Sequence, residues 1–161
     1  MATHARPPRL ESHRNAADRA TRRQAAIETR QLQHFARQLG QVTHEAMRAR
    51  QDFLAQFARL DAEPALAATR ARRLGVEYGR LFEQLRIALR VVPAPMTARP
   101  CVDAFDAWLE RHLAACDSLA RIGLNGETSQ IGLAARMLAE ARVAARRFNQ
   151  AHREIGLARA A

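Results

Sequence analysis

The sequence predicts an all-α protein, an antiparallel four-helix bundle with a long, N-terminally projecting first helix, and three observations lead there. The chain has 161 residues, enough for one domain with a sizeable core. Alanine supplies 35 of them while aromatics make up 5%, so the apolar content is mostly small side chains of high helix propensity. Apolar residues recur at the three- and four-residue steps of a helix in four segments, and no window sustains the alternation of a strand.

The first element is read from Leu32, Phe35, Leu39, Val42, Ala46, Ala49, Phe53 and Leu60, a heptad-like seam of the coiled-coil kind with Phe57 beside it. Its periodicity extends back to about Ala16, which predicts a helix over 16–61. Residues 1–15 are basic and contain Pro7-Pro8, and are expected to form a flexible tail ahead of a single helical domain over 16–161. The Asp61-Ala62-Glu63-Pro64 stretch then breaks the helix, because proline suits the first turn of a new one and acids suit its N-terminus.

The second element, over 64–92, places Ala67, Ala71, Leu74, Tyr78, Leu81, Leu85, Ala88 and Val92 on its stripe. It carries Gly75 and Gly79, a pair that admits a close neighbouring helix or weakens its own. It ends at "PAPMTARP", where three prolines in eight residues oppose a helix. A third helix over 101–123 is set by Val102, Phe105, Leu109, His112, Cys116 and Leu119, flanked by Trp108 and Leu113. The Asn125-Gly126 turn follows, with Thr128 and Ser129 as candidate caps. The fourth helix, over 128–158, carries Ile131, Ala134, Leu138, Ala141, Ala145, Phe148, His152 and Ile155. Four helices joined by short turns give an antiparallel bundle, in which Phe35, Phe53, Leu81, Leu85, Leu109, Leu138 and Phe148 are expected in one core.

A formal net charge of +10 suits nucleic acid, an anionic membrane surface or an acidic protein as partner. All 26 basic residues are arginine, which a GC-rich codon usage explains without any function; the excess over 16 acids is not so explained. That excess is uneven. Residues 1–30 carry seven bases and three acids, 63–92 and 127–161 each six and three, whereas 101–126 reverses the sign with two and four. The antiparallel order gathers Arg22, Arg23, Arg30, Arg86, Arg90, Arg142, Arg146, Arg147 and Arg153, with Arg99, at one end of the bundle. This end is the candidate polyanion-binding surface, with Arg142, Arg146 and Arg153 as one ridge and Arg23, Arg30 and Arg37 recurring every seven residues on the first helix. The arginines of "ATRARRLGVEYGR", Arg70, Arg72, Arg73 and Arg80, read instead as a solvated face. No aromatics interleave with the arginine rows and no compact helix-turn-helix is written, so neither base stacking nor sequence-specific readout is expected.

Spacing argues against catalysis. Helical di-iron sites need Glu-x-x-His pairs, and the nearest arrangement, Glu110-Arg111-His112, puts its acid and imidazole on different faces. His112 and His152 lie on core stripes about 18 Å apart along the bundle and read as core or end-of-bundle histidines. His34-Phe35-Ala36-Arg37 lacks the glycine and small residues that follow the histidine and base of a phosphotransfer domain. No phosphate loop or nucleophile motif is present, so the expectation is a protein that is not an enzyme and takes no cofactor or metal. Cys101 and Cys116 stand about 22 Å apart on one helix and cannot bridge, and the chain lacks both a signal-type apolar segment and a membrane span, so a cytoplasmic location is expected.

The second class of function is protein interaction: an adaptor, assembly subunit or secretion-type chaperone that uses helix one to bind a partner helix or to form a homodimer. In size and helical layout the chain is similar to the flagellar and type III export chaperones. No motif carries that likeness, and those proteins are mostly acidic, unlike this one.

Overall fold

A computed structural model describes residues 9–62, 64–123 and 129–158, with the side chains of the first helix from Asp18 onward. It contains four helices, α1 (Arg9–Phe57), α2 (Pro64–Arg90), α3 (Arg99–Ala120) and α4 (Ser129–Ala158), and no strand among the described residues. Short 3-10 turns at Leu60–Ala62 and Met96–Ala98 join α1 to α2 and α2 to α3.

The boundaries differ from the sequence reading where prolines and acids were weighed as breakers. α1 begins at Arg9, so residues 9–15 are helical rather than part of the tail; prolines just ahead of a first turn do not oppose it. Pro100 lies inside the first turn of α3, where its missing N–H costs nothing. The expectations for residues 1–8, for the Asn125-Gly126 turn and for Thr128 concern residues outside those described; Ser129 opens α4.

Side-chain pairs fix the directions. Gln56 Nε2 donates to the Tyr78 hydroxyl at 2.8 Å while the Phe53 and Phe82 rings meet at 6.0 Å, so α1 and α2 run antiparallel. Between α2 and α3 the Phe82 ring lies 5.1 Å from His112, and Arg86 reaches Asp106 further along. Between α3 and α4 Phe105 meets Phe148 at 5.0 Å, Arg111 meets Glu140 at 3.1 Å, and Ser118 donates to the Met137 sulfur. All three neighbouring pairs are antiparallel.

The core is one cluster. From α1 it takes Phe35, Leu39, Val42, Ala46, Ala49 and Phe53, the seam as read, with Leu32 half-buried. From α3 it takes Phe105, Trp108, Leu109, His112, Cys116 and Leu119. Two expectations fail. Leu81 is exposed, and Phe82 fills the core among Phe53, Trp108 and His112. A straight helix turns once per 3.6 residues, so the core line of α2, after Ala67, Ala71, Leu74 and Tyr78, takes a second four-residue step to Phe82 instead of a three-residue step to Leu81, and continues through Leu85 and Leu89. Among the described side chains of α4 only Ala134 and Ala141 are buried, while Leu138 and Phe148 are half-buried and His152 is exposed. The cause is placement: α4 packs along α3 and onto the Met96–Ala98 turn, without extensive packing against α1 among the described residues. The bundle is therefore open along its α1–α4 edge.

α1 outruns its partners. Every residue from Asp18 to Gln31 is exposed and the first buried side chain is Phe35. The unbroken helix from Arg9 to Gln31 is about 34 Å long at 1.5 Å per residue; its inner part, from Gln24, lines a cleft with Met96 and Ile155, and the rest projects beyond.

Candidate polyanion-binding surface

Arg142, Arg146 and Arg153 recur at helix-compatible steps on one side of α4, and all three are exposed. Arg153 Nε donates to the Asn149 carbonyl oxygen at 3.2 Å, which holds its guanidinium along the ridge. None of the three forms an ion pair among the described residues. Of the acids nearest in sequence, Glu154, next to Arg153, accepts a hydrogen bond from Gln150 at 3.1 Å and lines the α3–α4 groove, and Glu140 lies on the other side of α4 and is bound by Arg111.

Arg147 departs from the ridge. It lines the groove between α3 and α4 together with Asp103, Glu140 and Glu154, so its charge is offset there. On the projecting part of α1, Arg22, Arg23 and Arg30 are exposed, as is Arg37. Arg23 and Arg30 share a face, from which Arg22 is turned away by the 100° step of the helix. Glu28, the acid between them, accepts a hydrogen bond from Gln24 at 2.9 Å and lines a cleft of about 1020 Å³ at the open edge, opposite Glu154 and Ile155. That cleft is lined by glutamines, threonines, two acids and apolar side chains, not by the arginines.

Arg86 drops out of the surface. Its Nε and Nη2 donate to the two carboxylate oxygens of Asp106 at 2.7 and 2.9 Å, in a partly buried bidentate pair. The pairing holds the Asp106 carboxyl below its usual range, chiefly through the hydrogen bonds, and raises the Arg86 guanidinium in turn. Arg90, one turn on, is exposed but also acts on Asp106. Arg99, at the start of α3, is exposed. The bundle thus divides the group: Arg142, Arg146 and Arg153 on α4 and Arg23 and Arg30 on α1 stand in open rows, Arg22 is exposed beside Arg23, and Arg86, Arg90 and Arg147 act on acids.

A second arginine cluster was missed by the sequence reading. Arg59, Arg70 and Arg73 line a cleft of about 630 Å³ at the α1–α2 turn, together with Gln56, Leu60, Leu74 and Glu77. The signal was available, since a reversal just ahead of Pro64 sets residue 59 against the start of α2. Arg72 and Arg80 lie around the corner from it, beside Val76.

The interior offers little reactive chemistry. Burial pushes the His112 imidazole down to about 4, and one ring nitrogen, Nδ1, lies 2.9 Å from the Trp108 carbonyl oxygen, so it donates there in the neutral ring. Burial raises the Cys101 thiol to about 11 and the Cys116 thiol to about 12, so both stay protonated near neutrality. Among the described residues no group of three or more His, Cys, Asp or Glu is placed to hold a metal, and no helix is long and apolar enough to cross a membrane.

Comparison with family models, with curated protein sequences and with solved structures finds no match to this chain.

Proposed function

We propose that this protein is a non-enzymatic helical bundle that binds a polyanion, nucleic acid read without sequence specificity, through the arginine ridge of α4 supported by the arginine rows of α1. The observation that carries the reading is the exposure of Arg142, Arg146 and Arg153 in one row that forms no ion pair among the described residues, while the α4 acids Glu140 and Glu154 are engaged by Arg111 and Gln150. Charge is segregated by the packing. A guanidinium row on a rigid helix holds phosphates by bidentate hydrogen bonds and counterion release, neither of which depends on base identity. Titration of labelled duplex DNA and RNA against rising salt tests it. Binding with a slope of log affinity against log salt of about −2 to −3, for three phosphate contacts, is the expected result. No binding at low salt would overturn the reading.

A second reading is favoured by a different observation, the bare projection of α1. Every residue over Asp18–Gln31 is exposed, and Ile27, 48% exposed, lies off the face that lines the cleft with Met96 and Ile155, so the Ile27 face gains nothing from its own body. We infer a protein-interaction role for it, in which α1 engages a partner helix or groove.

A further inference from the structure

Two surfaces of the molecule carry the same spacing of opposite charge. On the projecting part of α1, Ala20, Arg23, Ile27 and Arg30 follow one another at three- and four-residue steps, so they form one exposed face. On the body, α2 and α3 are drawn together at Gly75, which leaves a shallow groove along their outer side with a floor of Gly79 and Ala114 and walls of Val76 and Leu113. Its rim carries Glu83, Glu110 and Asp117. The two bases of this rim are Arg80 and Arg86, and Arg86 is already committed to Asp106 with Glu110 4.0 Å away. In a chain of net charge +10, α3 is the local reversal.

The registers agree. Arg23 and Arg30 stand seven residues apart with Ile27 between them; Glu110 and Asp117 stand seven apart with Leu113 and Ala114 between them. Both spans are about 10.5 Å along a helix. Since α1 is one unbroken helix from Arg9 to Phe57, its Arg23–Arg30 face cannot turn back to the α2–α3 groove of its own chain. The complementary groove it can reach belongs to another molecule.

We propose that the acidic α2–α3 groove receives the basic α1 projection of a second copy of this chain, with Arg23 and Arg30 meeting Glu110 and Asp117 and Ile27 seated over Leu113 and Ala114. Each copy offers one projection and one groove, so a two-fold arrangement satisfies both and closes. The proposal rests on the interaction reading of α1 and names its partner.

Sedimentation equilibrium of the full chain at about 0.05 M and about 0.5 M salt tests it. The expected result is a dimer at low salt that weakens at high salt. Reversing the projection (Arg23→Glu with Arg30→Glu) and reversing the groove (Glu110→Arg with Asp117→Arg) are each expected to weaken the dimer at least about tenfold. Circular dichroism identifies a variant that has lost its fold. Mixing the two variants restores both contacts, and an equimolar mixture is expected to form the heterodimer. That rescue keeps the test independent of either variant's own stability. A wild-type chain that stays monomeric at low salt, or a mixture that stays monomeric, would overturn the proposal. Loss of the dimer on reversing the projection but not the groove would also overturn it, while leaving the interaction role of α1 intact.

Discussion

Gly75 of α2 and Cys116 of α3 touch through their backbones: a methyl group at Gly75 would overlap the Cys116 carbonyl oxygen and the Ala120 amide nitrogen. Neither atom can move without shifting α3. Gly79, one turn along, has room, since a methyl there would meet the Cys116 Cβ at 3.5 Å, an ordinary contact. Gly75→Ala is therefore expected to destabilise the protein by about 1–3 kcal/mol. Gly79→Ala is expected to stabilise it by up to about 1 kcal/mol, as alanine normally does inside a helix. Urea denaturation of the two variants checks the pair, and equal effects would contradict the close approach.

The α2 register gives a second prediction. Leu85 is buried and Leu81 is 38% exposed. Leu85→Ala is expected to cost about 2–5 kcal/mol. Leu81→Ala is expected to stay within about 1 kcal/mol. A larger loss at Leu81 would favour a register with Leu81, not Phe82, facing the core.

The contrast between these leucines shows what the sequence could and could not carry. The α1 seam was legible because one face of a helix meets its neighbours and every third or fourth apolar residue marks it. On α2 the choice between Leu81 and Phe82 depends on helix rotation, and both are apolar, so periodicity alone could not separate them. The α4 stripe was read correctly as apolar but not as half-covered, since its burial depends on how far α1 lies from it. The candidate surface divides in the same way. Exposure of Arg142, Arg146 and Arg153 follows from their distance from the α4 stripe, whereas the capture of Arg86 by Asp106 depends on the facing of two helices twenty residues apart in sequence.

Two buried or paired groups predict the pH dependence. His112 has its pKa lowered from 6.5 to about 4 by burial, so the unfolded chain binds the extra proton between these values. Its contribution is fully present above pH 6.5 and is lost progressively down to about pH 4. The Asp106 carboxyl is also lowered, by Arg86, so its contribution is present above the ordinary value of 3.8 and is lost below it. His112→Phe is expected to flatten stability between pH 6.5 and 4, and Asp106→Asn only at lower pH. Urea midpoints across the range check this, and an unchanged slope in the His112 variant would contradict the assignment.

Removing residues 1–26 tests the independence of the α1 projection. The described side chains it deletes are all exposed, so the thermal midpoint is expected to move by no more than about 2 °C. Any complex made through the projection is expected to disappear. A large fall in the midpoint would show that the extension supports the core.

The central claim is that the α4 ridge holds phosphate, and the most direct measurement compares two triple variants in one binding assay. Arg142→Gln with Arg146→Gln and Arg153→Gln empties the ridge; Arg70→Gln with Arg72→Gln and Arg73→Gln removes the same charge from α2, where Glu77 lies beside the cleft. Affinity for duplex DNA and RNA is measured against salt for both. The ridge variant is expected to bind more weakly and to flatten the slope of log affinity against log salt by up to about one unit per lost contact, with the α2 variant losing less. Equal losses would mean that only net charge matters, and a greater loss from the α2 variant would place the grip at the α1–α2 turn and contradict the account.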